Sequence, residues 1–227
     1  MAQPPARTSP HSSLPALAAK VRCDRISAMN SRSFRLLLKE VHGCQVCAGV
    51  LPLGPRPVLQ ADPMARILIA GQAPGKKVHL SGIPFDDASG ERLRAWLGVE
   101  RETFYDEKSL AILPMGFCYP GTSKTGDLPP RPECAPQWRP RIMAQLPRIE
   151  LTLVIGQYAL AHYFPGRYVN LTEAVQDWPN HAPDIFVLPH PSPRNNLWIK
   201  RNPWFESRLI PVLQQRVAQI LRQPGLS

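Results

Sequence analysis

The chain has 227 residues, 44% hydrophobic and 19% charged, which excludes a wholly disordered protein and suffices for one substantial domain with a buried core. Its 27 prolines, about twice the average frequency, argue for long ordered loops and against a helical bundle or coiled coil. Lysine and arginine number 27 against 17 acidic residues, and the net charge of +10 favours an anionic partner, with nucleic acid first.

Residues 1–32 carry five basic residues and one acidic residue, with no apolar stretch ahead of a cleavage site. They read as a disordered leader, or as sequence upstream of a start at Met29, leaving 33–227 as the folded domain. The lack of a secretion signal points to a reducing, cytoplasmic compartment. From residue 33, Phe34, Leu37, Leu38 and Val41 recur at helical spacing until Gly43 breaks the pattern. Cys44 and Cys47 follow at once, and Cys118 and Cys134 stand farther on. In a reducing compartment such a close pair binds metal more often than it forms a disulfide, and two distant thiols complete a four-thiolate shell. That shell suits zinc or a [4Fe-4S] cluster.

Apolar runs at 66–71 (RILIAG), 110–115 (LAILPM), 151–156 (LTLVIG) and 184–190 (DIFVLPH) predict buried strands. Helical segments separate them at 89–99 and 136–149. A last helix over 204–222 places Leu209, Val212, Leu213, Val217 and Ile220 on one face. Strands alternating with helices predict the α/β class, as a three-layer α/β/α sandwich around a mostly parallel four-stranded sheet. The longest charge-free stretch, 151–166, is broken by Gln157, His162 and Pro165, well short of a span of about 20 apolar residues, so no membrane segment is expected. Ligands of such sheets bind beyond the carboxyl ends of the strands, which directs attention to the loops 71–90, 116–134, 156–163 and 190–196.

The first of these loops opens with glycines that let backbone approach a ligand, and Ser89 or Asp87 is placed to cap a helix beginning near Gly90. The phosphate-loop pattern GxxxxGK[ST] and the dinucleotide pattern GxGxxG are both absent. Phe85 reads as a core plug or as a stacking platform for a base; Asp86 and Asp87 read as caps or as catalytic carboxylates. In the last loop, HPSPRNN, two prolines fix the backbone between His190 at a strand end and Arg194.

Together these two loops resemble the uracil-DNA glycosylase superfamily. Its first motif, GxAPG followed by GxPF, has its like in GQAPG at 71–75 and GIPF at 82–85. Its histidine-led second motif has its like in HPSPR at 190–194. The region around Asp87 resembles the family-five branch, and GQAPG lies closer to family four. A CxxC ahead of the first motif, with two thiols 16 residues apart after the second strand, resembles the iron–sulphur branches. The resemblance spans about residues 33–222. It implies a monomeric DNA glycosylase of base excision repair, associated with the nucleoid, that flips a deaminated base, uracil first, out of DNA and hydrolyses its N-glycosidic bond. By that likeness Gly71, Ala73 and Phe85 bind the base, Asp87, His190 and Gln72 carry catalysis, and Ser192, Arg194 and Lys124 meet DNA, Arg194 as the wedge. Cys44, Cys47, Cys118 and Cys134 hold a [4Fe-4S] cluster, with zinc as the alternative. Two positions depart from the family: Gln72 stands where family four has glutamate, and LPMGFC before Cys118 lacks the asparagine that several members use to read uracil. Those departures leave a second reading, a catalytically inactive, metal-stabilised nucleic-acid-binding protein. A small-molecule nucleotide hydrolase is third.

Overall fold

Four short runs of aliphatic residues pair into one all-parallel sheet, ordered β2-β1-β5-β6, in a computed structural model that describes residues 32–124 and 126–222. The strands are β1 (Ile67–Ala70), β2 (Leu110–Ile112), β5 (Leu151–Ile155) and β6 (Ile185–Leu188). Ile67 lies beside Leu110 on one side and Leu151 on the other, and Leu153 beside Phe186. All four residues of β1 are fully buried, as a strand covered on both faces must be. The expected leader lies outside the described residues, apart from Arg32, which begins helix α1 (32–42).

Alternate residues of β1 face two cores. Leu68 joins Phe34, Leu37 and Val41 of α1 and Trp138 and Ile142 of α5 (Cys134–Met143). Ile67 and Ile69 join Leu93, Trp96 and Leu97 of α3 (Ala88–Leu97) with Leu213, Val217 and Ile220 of α9 (Ile210–Arg222). The result is the three-layer α/β/α sandwich, and no helix among the described residues is long and apolar enough to cross a membrane. The connection leaving β1 runs to β2, whereas that leaving β5 runs to β6 on the opposite side. A crevice therefore opens at the carboxyl ends of β1 and β5.

Three expected loops contain regular structure. Within 71–90, α2 (Lys76–Ser81) forms between Gly75, which is extended, and Gly82, which ends it at φ 75°. Within 116–134, β3 (Thr122–Ser123) and β4 (Gly126–Asp127) pair as a small antiparallel hairpin. Residues 156–163 are not a loop but α6 (Gly156–Tyr163), entered directly from β5 through Gly156 at φ 78°. The short helices α4 (Arg101–Phe104), α7 (Leu171–Gln176) and α8 (Asn196–Arg201) complete the set. The last helix begins with a π-helical turn, Phe205–Leu209, ahead of Pro211, whose ring and missing N–H do not fit a regular turn. Its buried face holds Leu209, Ile210, Leu213, Val217 and Ile220, while Val212 is exposed. At about 100° per residue, Val212 falls roughly a quarter turn outside the stripe that Leu213, Val217 and Ile220 define.

Candidate active site

At the carboxyl ends of the strands lies a cleft of about 320 Å³, at the lower end of the roughly 300–1,000 Å³ typical of small-ligand sites. Gly71, Gln72 and Ala73 reach it from the turn after β1, and Phe85 and Asp87 from the turn into α3. His190, Ser192 and Arg194 reach it from the loop after β6. Lys124 is not among the lining residues: it sits exposed on the turn between β3 and β4.

Phe85 holds a left-handed backbone, φ 55°, uncommon for a bulky residue. Its neighbours impose that turn. The Tyr105 hydroxyl donates to the Phe85 carbonyl at 3.3 Å, the ring meets Phe104 edge-on at 6.2 Å, and a β-carbon at Gly90 would collide with the Phe85 carbonyl oxygen. The ring passes over Gly71, with Cζ 3.8 Å from where a β-carbon would stand. Two residues later Asp87 caps α3, its Oδ1 accepting the Gly90 N–H at 3.0 Å. The cap occupies one carboxylate oxygen of a side chain that also lines the cleft.

His190 faces Phe85 across the cleft, the ring centroids 6.5 Å apart and 28° from parallel. Burial, the larger influence, lowers its pKa below the ordinary 6.5, against the opposing charges of Asp87 and Asp127. The Ser192 N–H donates to His190 Nδ1 at 3.2 Å. A neutral ring with Nδ1 as acceptor carries its proton on Nε2, which makes that nitrogen a donor. Asn195 donates to the His190 carbonyl at 2.7 Å, and Arg92 to the Ser192 carbonyl at 3.3 Å. The Ser192 Oγ accepts the Arg194 N–H at 3.2 Å. Gln72 Nε2 donates to the Leu128 carbonyl at 3.0 Å, tying the turn after β1 to the segment that follows the hairpin. The Arg194 guanidinium lies against Gly126, where any β-carbon would strike it.

A family model described as the uracil DNA glycosylase superfamily matches residues 59–214. The chain belongs to the uracil DNA glycosylase superfamily. The match takes in every lining residue of the cleft except Val58, together with Cys118 and Cys134; Cys44, Cys47 and α1 lie before it. Superfamily membership points to DNA glycosylase activity and to DNA as partner. Beyond the residues expected from the sequence, the cleft is lined by Lys77 and by Asp127 of β4. Asp127 stands in a two-residue strand, too short for any alternation to mark it.

Four of the five cysteines of this superfamily member, Cys44, Cys47, Cys118 and Cys134, line a separate, smaller pocket of about 20 Å³, walled by Leu51, Phe117 and Trp138. Burial raises the Cys118 thiol to about 11 and the Cys134 thiol to about 12. The Phe117 N–H donates to Cys134 Sγ at 3.3 Å, the kind of contact that tunes a thiolate ligand. Among the described residues no group of three or more His, Cys, Asp or Glu side chains is set to hold a metal ion. One helix turn beyond Cys134, Arg139 is 2% exposed, its guanidinium donating to the carbonyl of Leu113 at the end of β2 and, at 2.7 Å, to the Tyr163 hydroxyl.

Proposed function

We propose that the chain is a DNA glycosylase that extrudes a deaminated base, uracil first, and hydrolyses its N-glycosidic bond in base excision repair. The observation that carries this reading is that Phe85 and His190, from distant parts of the chain, wall one cleft, with the Ser192 N–H holding His190 Nδ1 as an acceptor. An extruded base stacks on Phe85, an interaction worth about 1–3 kcal/mol per base. As the C1′–N bond breaks, its electron pair moves onto the base, and His190 Nε2–H stabilises the charge that gathers on a carbonyl oxygen. A neutral donor keeps its proton while doing so. The Asp87 oxygen not used by the cap stabilises the oxocarbenium-like sugar, water adds at C1′, and the base takes up a proton. The products are the free base and an abasic site. Gln72 positions groups but takes no proton. Arg194 fills the vacated stack, with Ser192 and Lys124 on flanking phosphates.

For Cys44, Cys47, Cys118 and Cys134, which line one pocket, we propose a [4Fe-4S] cluster, with zinc as the alternative; either centre would stitch together the segment after α1, the segment before the hairpin and α5, and would require the thiols to draw closer together than they stand. The test of the glycosylase reading is incubation of purified protein with oligonucleotides each carrying one altered base, followed by alkali. Strand scission at uracil is expected, and an intact strand for every base overturns the reading. The neutral Gln72 favours a second reading, binding without catalysis, for which salt-dependent affinity with no abasic product is the signature.

A further inference from the structure

Asp127 projects from the β3–β4 hairpin into the cleft that holds Phe85 and His190. Its Oδ1 accepts the Thr122 hydroxyl at 3.0 Å across the hairpin. Its Oδ2 faces Gly75, 3.5 Å from where a β-carbon would stand. With no side chain at Gly75, the carboxylate itself forms the wall there. The hairpin holds it firmly: Leu128 N–H donates to the Gly121 carbonyl at 2.9 Å, Ser123 Oγ to the Gly126 carbonyl at 3.0 Å, and Gln72 grips the Leu128 carbonyl at 3.0 Å. Its charge reaches the His190 ring together with that of Asp87. One side of the cleft thus offers a donor, His190 Nε2–H, and another offers an acceptor.

A carboxylate that only accepts hydrogen bonds reads N–H groups and repels lone pairs. Deamination produces that difference on the base edge. Uracil carries N3–H where cytosine has a lone pair, and hypoxanthine carries N1–H where adenine has one. The sequence has no asparagine after the second strand to make that contact, and Asp127 follows the same strand on the same connection. We propose that Asp127 is a specificity-determining residue whose carboxylate accepts the ring N–H of an extruded deaminated base. This inference rests on the glycosylase reading.

The test compares single-turnover excision of uracil and of N3-methyluracil, in which the ring N–H is replaced, by the full chain, by Asp127→Ala and by Asp127→Asn. The wild type is expected to prefer uracil strongly. Asp127→Ala is expected to lose about tenfold to hundredfold on uracil, the value of one hydrogen bond to a charged group, and to shrink the uracil-to-methyluracil ratio by the same factor. Asp127→Asn keeps an acceptor for Thr122 and the same volume, so it separates loss of the contact from loss of the hairpin, and it is expected to retain an intermediate ratio. A ratio unchanged in Asp127→Ala, whatever its absolute rate, overturns the role of Asp127 and leaves the glycosylase reading standing. A wild type inert on every altered base overturns both.

Discussion

Two of the hollows among the described residues, the cleft and the cysteine pocket, are built in opposite ways. The cleft of about 320 Å³ has walls of turns and loop ends whose polar groups are only half used. Asp87 spends one oxygen on a cap, His190 one nitrogen on a backbone amide, and Asp127 one oxygen on Thr122. The cysteine pocket holds about 20 Å³, and apolar side chains back its thiols. Leftover hydrogen-bonding capacity suits a ligand that comes and goes, whereas half-buried thiols backed by apolar side chains suit the resident centre proposed above. Substitutions in the first are therefore expected to act on rate, and in the second on stability.

The largest expected effect tests that division at once. His190→Ala or Asp87→Asn should slow excision of uracil by about 10²–10⁴-fold, read by single-turnover kinetics, and a loss below tenfold in both would break the assignment of chemistry to the cleft. Gly90→Ala forces a β-carbon into the Phe85 carbonyl. Overpacking of this kind costs about 3 kcal/mol, or roughly 6–12 °C in melting temperature for a domain of this size, and it should remove activity with the displaced ring. Cys134→Ala should strip any bound metal and lower the melting temperature by several degrees. Below that temperature its excision rate should stay within about tenfold of wild type; a rate loss as deep as that of His190→Ala would erase the contrast between the two hollows.

The pH profile sharpens the cleft side of the comparison. Burial holds the His190 pKa below the ordinary 6.5, so excision should stay level as pH falls through 6.5 and decline only at lower values, with His190→Gln lacking that limb. The unfolded chain takes up its proton first, so this group's contribution to stability begins to fall below pH 6.5 and goes on falling until the folded-state pKa is passed. The smallest effect belongs to Lys124, exposed on the hairpin turn and outside both hollows. Lys124→Ala should weaken DNA binding alike for all sequences and reduce the slope of log affinity against log salt by about one.

Much of this architecture is legible in the chain because buried parallel strands are continuous apolar runs. Ile67 to Ala70 and Leu151 to Ile155 stand where such runs predict them, and the switch-point rule then locates the cleft. Helix α2 was not legible: KKVHLS has no apolar stripe, and only the pair Gly75 and Gly82 marks its ends. The hairpin was not legible either, since two-residue strands show no period, and with it went Asp127, which in sequence is one more aspartate in a polar loop. Val212 was misplaced because a spacing of three from Leu209 satisfies a helical pattern while still missing the centre of the buried face.

Helix α5 lines the cysteine pocket and, through Arg139, reaches the backbone next to the cleft. Its first residue is a thiol of one, and five residues on, Arg139 reaches the end of β2, where Pro114 forms part of the floor of the other. A jolt at the sulphur end has a short stretch of helix to travel along, a little under one and a half turns, before it arrives next to the wall of the proposed base site.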